Sequence, residues 1–212
     1  MAPRYRPAEE LANSLSHGLG VVLSIVGLAV LVGFASARGS TVDVVASSIF
    51  GATLVLVYTT STLYHGIPIE AAKKVLRTLD HIAIFLLIAG TYTPFTLAAI
   101  GGRTGWTLFA VIWGLAVLGI VFELTFLRRW TWLAVGLYLL MGWVGLVAIK
   151  PLAAAMDTGG LVLLLAGGAA YTIGVVFYVW RRLPYGHAIW HGFVLAGSVL
   201  HYLAILFYIV LD

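Results

Sequence analysis

The sequence predicts an all-α fold: one bundle of seven transmembrane helices, with a cytoplasmic N-terminus and an extracytoplasmic C-terminus. Three observations carry that reading. Of 212 residues, 62% are hydrophobic and only 9% are charged, whereas soluble domains hold about a quarter charged residues. The charges are also segregated, leaving uncharged stretches at 11–37, 44–69, 82–102, 104–122, 130–149, 158–180 and 183–211. A helix needs about 20 apolar residues to cross hydrocarbon, so each stretch suffices for one span. Finally, the basic residues between the stretches divide unequally. Nine fall on one side (Arg4, Arg6, Lys73, Lys74, Arg77, Arg128, Arg129, Arg181, Arg182) and three on the other (Arg38, Arg103, Lys150). Lysine and arginine accumulate in cytoplasmic loops, and this sets the orientation. The net charge of +4 is therefore a topology signal and implies no nucleic acid. The runs are uniformly apolar, without the two-residue alternation of barrel strands.

The chain reads as a single integral membrane domain over 1–212, with helices at roughly 11–37, 41–65, 80–102, 104–126, 130–149, 158–180 and 187–211. The first run is longer than the apolar core of a signal peptide and ends without a small-residue cleavage site, so it is helix 1. Its cytoplasmic end carries Glu10, Asn13 and His17. Helix 2 runs inward and ends on "STLYHG", with Ser61 and His65. The connection 66–80, "GIPIEAAKKVLRTLD", is expected to lie on the anionic inner leaflet as a short amphipathic helix. Helix 3 opens with Asp80 and His81 and contains Pro94 in "GTYTPF", where the missing backbone donor predicts a kink. Helix 4 ends near Glu123, with Arg128 and Arg129 as its expected ion-pair partners. Trp106, Trp130, Trp132 and Trp180 fall at predicted interfaces, as an aromatic belt does. Helix 6 contains Gly167 and Gly168, which suit close helix contact. Helix 7 opens with "GHAIWHGFV", bringing His187 and His191, and extends past His201.

Polar groups of helices 1, 2, 3 and 7 thus share one depth near the inner leaflet. Residues four apart lie on one helix face, so His187 and His191 can grip one ion, and Ser61 shares a face with His65. Three protein ligands plus water is the common catalytic arrangement of zinc, and His65, His187 and His191 supply three imidazoles. Asp80 is the candidate to hold or deprotonate the attacking water, and Ser61 to donate a hydrogen bond to that water or to a substrate carbonyl. There is no cysteine, so thiolate sites and disulfides are excluded, although imidazole also suits nickel, copper and iron. The competing reading has the histidines facing headgroup water or bonding to neighbouring helices. His81 points about 100° from Asp80 and is expected to pack or to support the site. A capping or supporting hydrogen bond is expected for His17. His201 is fourteen residues beyond His187, about 21 Å along the helix, and is expected to line a buried polar cavity. Two stacked haems would need a second helix with a matched histidine pair, and retinal would need a lysine in helix 7; both are missing.

The segments "EELANSLSHGLG", "SSIFGATLVLVYTTSTLYHG", "LDHIAIFLLIAGTYTPF" and "HAIWHGFVLAGSVLHY" resemble the hemolysin III family. These are bacterial relatives of the progestin and adiponectin receptors and, more distantly, of the alkaline ceramidases. The resemblance runs through essentially the whole chain, and Ser61, His65, Asp80, His187 and His191 match its motifs in order. It implies seven helices, a cytoplasmic N-terminus, a multi-pass location in the bacterial plasma membrane, and a Zn2+ ion held by the three histidines near the inner leaflet. In the ceramidases and adiponectin receptors the site is associated with hydrolysis of a lipid amide. The expected function is therefore a zinc-dependent hydrolase of a membrane lipid amide or ester, with a part in membrane lipid homeostasis. A non-enzymatic membrane sensor with a structural zinc is the alternative, and it requires Asp80 to close the fourth coordination position. A cytolytic pore ranks last, because seven apolar helices with few intramembrane charges offer no hydrophilic conduit.

Overall fold

The computed structural model describes residues 5–125 and 130–212. Seven helices are long and apolar enough to span a membrane: α1 (Pro7–Arg38), α2 (Thr41–Gly66), α3 (Glu70–Ile100), α4 (Gly102–Thr125), α5 (Trp132–Ala155), α6 (Thr158–Val179) and α7 (Gly186–Val210). No strand occurs among the described residues.

Local chemistry accounts for the ends of these helices. α1 starts at Pro7, where a missing donor does no harm, and the Glu9 carboxylate accepts the Arg6 N–H at 3.0 Å. At the start of α2 the Ser40 hydroxyl accepts the Asp43 N–H at 3.3 Å, while the Asp43 carboxylate accepts the Ser40 N–H at 2.6 Å. This reciprocal cap satisfies two orphan donors and turns α2 tightly back along α1. The turn from α3 to α4 uses Gly101 and Gly102 at φ +62° and +55°, a region that side chains disfavour.

Two elements depart from the sequence reading. The segment expected to lie on the leaflet as a separate short helix is the beginning of α3, which runs unbroken from Glu70 through Asp80. Nothing between Pro68 and Pro94 breaks a helix there, and "EAAKKVLRTL" consists mostly of good helix formers. Asp80 consequently lies well inside a helix. Helix 5, expected to end near 149, continues to Ala155 through a tight 3-10 segment at Val144–Ala148. Tyr92 stitches that irregularity: its hydroxyl donates to the Gly142 carbonyl at 2.7 Å and accepts the Gly145 N–H at 2.7 Å. At Pro94 the chain widens into a π-helical stretch, Pro94–Ile100.

α1 packs against α2 and α7, α2 against α3, α3 against α4, and α6 against α7. Lipid is as apolar as leucine, so close approach and internal hydrogen bonds hold such helices together. Gly20 lies directly under the Tyr58 ring and Gly167 under the His201 ring. The Ser198 hydroxyl accepts from the Tyr58 hydroxyl at 2.7 Å and also bonds the Tyr171 hydroxyl at 2.7 Å. Leu15, Leu19, Val22 and Val26 of α1 remain exposed, as a lipid-facing surface requires. The outcome is a bundle whose N-terminal end gathers the start of α1, the end of α2, the first third of α3 and the start of α7.

Candidate metal centre

His65 sits in the last turn of α2, and His187 and His191 occupy the first turns of α7. Their ligand nitrogens all lie within 4.8 Å of one another. Each ring is fixed at Nδ1 by the beginning of the chain. His65 Nδ1 lies 2.6 Å from the Glu10 Oε2 atom. His191 Nδ1 lies 3.1 Å from the Asn13 carbonyl and 2.9 Å from the Ser16 hydroxyl. His187 Nδ1 lies 2.9 Å from the Tyr5 hydroxyl. Burial pushes the Tyr5 phenol well above its ordinary pKa, so the phenol stays protonated beside His187.

The opposite edges show what the cluster lacks. The Nε2 atoms of His65 and His191 are buried without a hydrogen-bond partner, a condition that costs about 1–3 kcal/mol per group. Donation from Nδ1 to a carboxylate or carbonyl selects the tautomer whose lone pair is on Nε2, which is how protein ligands are commonly oriented toward a metal. Two such imidazoles, with His187 close beside them and no thiolate in the chain, fit a borderline divalent ion. These residues can hold a metal.

The Glu10 carboxylate also accepts from Lys73 Nζ at 2.7 Å through its other oxygen, and Lys73 donates to the Tyr64 carbonyl at 2.9 Å. The first turns of α3 are thereby tied to the His65 support. Glu9 Oε1 accepts the Tyr185 N–H at 3.1 Å, which tethers the entry of α7 to α1. Tyr185 itself adopts a left-handed φ of 57°.

Asp80 and Ser61 are both buried, at 9% and 1% exposure. Among the described residues the mutually close ligand set holds three imidazoles and no carboxylate, so Asp80 is not one of its members. Instead Asp80 lines a cavity of about 350 Å³ between α3, α5, α6 and α7, whose wall also includes Tyr5, His187 and His201.

The remaining histidines divide. His17, for which a hydrogen bond was expected, makes none among the described residues: both nitrogens are buried and unpartnered. Its ring stacks on His191 with centroids 3.4 Å apart and planes 12° from parallel, because α1 and α7 meet face to face at this level. His81 Nδ1 contacts the Glu123 carboxylate at 3.0 Å, and its carbonyl accepts from the Tyr138 hydroxyl at 3.1 Å. Glu123 thus pairs across to α3, while the expected partners Arg128 and Arg129 lie outside the described residues. His201 Nε2 donates to the Leu164 carbonyl at 3.0 Å.

Sequence reasoning missed Tyr5 and the roles of Glu10 and Ser16. Tyr5 precedes α1 and carries no helical periodicity. Glu10, Asn13 and Ser16–His17, three to four residues apart on one face of α1, were the available signal.

A family model described as "Haemolysin-III related" matches residues 5–202. The chain is 46% identical over 202 residues to the Hemolysin-3 homolog of Bacillus subtilis (strain 168), with 95% of both chains covered. It is 47% identical over 201 residues to Hemolysin-3 of Bacillus cereus, covering 95% of this chain and 92% of that one. It is 29% identical over 216 residues to the monocyte to macrophage differentiation factor of Homo sapiens, covering 95% of this chain and 86% of the human one.

Proposed function

This chain belongs to the haemolysin III family of multi-pass membrane proteins, and from that premise we propose that it is a zinc-dependent hydrolase of a membrane lipid amide or ester. The observation that carries the proposal is the arrangement of His65, His187 and His191. Their Nδ1 atoms are occupied, the buried Nε2 atoms of His65 and His191 lack partners, and Asp80 stands outside the ligand cluster in the adjacent cavity. Three ligands with a carboxylate nearby but separate is the pattern of an open, catalytic site; a structural site is closed by a fourth protein ligand.

When bound, zinc would supply a Lewis acid that lowers the pKa of water toward about 7 and polarises a carbonyl. The protein supplies the rest. Glu10, the Asn13 carbonyl and Tyr5 hold the three rings in place. Asp80 takes a proton from the attacking water and returns it to the departing nitrogen or oxygen, and Ser61 fixes the carboxylate for both transfers. The apolar cavity holds the acyl portion and keeps bulk water away. The bias of nine basic residues to three supports a cytoplasmic N-terminus and a site at the inner leaflet, where a lipid carbonyl is found just below its headgroup. That two relatives come from Bacillus supports a bacterial plasma membrane, and cleavage of a membrane lipid would give the protein a part in lipid homeostasis.

The test is elemental analysis of protein purified in a neutral detergent, followed by a panel of lipid amides and esters. Zinc near one equivalent and cleavage of at least one class are expected. Asp80→Ala should keep the metal and lose about 10²–10⁴-fold in turnover, the usual contribution of a general base. Retained metal with no cleavage of any lipid would leave the ion as a staple between α2 and α7 and remove the hydrolase reading.

A further inference from the structure

The cavity beside the three histidines is polarised along its length. On α3 it runs from Arg77 past Asp80, Ile84 and Leu87 to Tyr92, and on α7 from His187 to His201. The fourteen residues between His187 and His201 correspond to about 21 Å of helix, compared with about 15 Å for half a hydrocarbon core. Its middle is walled by apolar side chains, and its mouth by two guanidiniums, half-buried Arg77 and exposed Arg181. The phenol of Tyr178 also stands in the wall.

The neighbouring carboxylates are otherwise engaged. Glu9 accepts backbone N–H groups of Arg6 and Tyr185 at 3.0 and 3.1 Å, and Glu10 is taken by His65 and Lys73 at 2.6 and 2.7 Å. Asp80 lines the same cavity and is buried, at 9% exposure. Among the described residues neither Arg77 nor Arg181 has a carboxylate within salt-bridge distance. Guanidinium groups pair with phosphate and carboxylate through two parallel hydrogen bonds. An ion alone would leave the long apolar interior unfilled, and a neutral amphiphile would leave the cations unused. A cavity of about 350 Å³ is near the small end of the roughly 300–1,000 Å³ range of ligand sites, which suits one acyl chain better than two.

We infer that the cavity takes an amphiphile with an anionic headgroup, phosphate or carboxylate, set between Arg77 and Arg181, with a single acyl chain running toward His201. The inference rests on the reading of this site as one that acts on membrane lipid, and it sets neutral, ceramide-like lipids below anionic ones as ligands.

Binding of radiolabelled, non-cleavable probes to the full-length protein in a neutral detergent tests it: hexadecylphosphonate, palmitate and the neutral ether hexadecyl glycerol. At least one of the two anions should bind tenfold or more tightly than hexadecyl glycerol. Arg77→Gln and Arg181→Gln should each weaken that binding about tenfold and leave hexadecyl glycerol unchanged. Lys74→Gln, exposed on the same helix and outside the cavity wall, should change nothing. Equal binding of all three probes, equal loss of all three in the arginine variants, or an equal effect of Lys74→Gln would each overturn the inference. So would inorganic phosphate displacing the probes at their own concentrations, which would mark a site for a free anion. Since no probe can be hydrolysed, absent lipid cleavage leaves this result standing, and a lost anion preference leaves the hydrolase reading standing.

Discussion

Oε2 of Glu10 lies 2.6 Å from Nδ1 of His65, a contact that joins the start of α1 to the end of α2. It makes an acidic residue fifty-five positions away in sequence the partner that orients a metal ligand. Removing such a partner typically lowers metal affinity by 10–100-fold. Glu10→Gln should therefore bind zinc about that much more weakly in competition with a chromophoric chelator, with the helical circular dichroism unchanged. Lys73→Met, one step further out, should give a smaller loss. Equal affinity in Glu10→Gln and the parent would remove Glu10 from the metal support.

His17 provides the contrasting case. It stacks on His191 at 3.4 Å yet is absent from the mutually close ligand set. His17→Phe preserves a flat ring on that face and should keep the metal stoichiometry of the parent, whereas His191→Ala should lose the ion. Loss of metal in His17→Phe would make His17 a ligand.

Close packing predicts a sharp difference between glycines. A Cβ on Gly167 would collide with the His201 imidazole, whereas one on Gly136 meets nothing within 4 Å. Gly167→Ala should destabilise the detergent-solubilised protein by about 1–3 kcal/mol, the usual effect of overpacking. Gly136→Ala should be neutral or stabilising by up to about 1 kcal/mol, from helix propensity alone. Thermal unfolding followed by circular dichroism ranks the two.

The Ser198 hydroxyl serves two tyrosines, Tyr58 and Tyr171, each at 2.7 Å. Interhelical hydrogen bonds in membranes average about 0.6 kcal/mol and reach about 1.7 kcal/mol. Ser198→Ala should thus lower stability by about 1 kcal/mol. A double-mutant cycle with Tyr58→Phe should show coupling, and strict additivity would mean that the bond contributes nothing.

His81 and Glu123 make a pair at 3.0 Å between α3 and α4, with the Glu123 side chain 3% exposed. Leaving one member of a buried pair alone destabilises more than removing both. Glu123→Ala should accordingly unfold at lower temperature than the double variant His81→Phe/Glu123→Leu.

Much of this molecule was legible without coordinates. His187 and His191 were readable as a pair because four-residue spacing puts side chains on one face whatever surrounds the helix. Asp80 and Ser61 were readable as candidates because ionisable and hydroxyl groups are rare inside apolar runs. Tyr5 was not legible, since it lies outside any periodic element. The two pairings that Glu10 and Glu123 make across helix interfaces were not legible either, because the identity of a cross-helix neighbour depends on rotation about each helix axis.

The sequence by itself determined that the chain is all helical, crosses the membrane seven times and carries its unusual polar residues at one level. Backbone groups in hydrocarbon must bond within their own segment, so composition and run length alone dictate helices. Tertiary structure decided which imidazole edge faces its neighbours, that Asp80 stands apart from the ligand set, and that the cavity runs between Arg77 and His201. These depend on helix rotation and on contacts between residues far apart in the chain, and no local spacing encodes them.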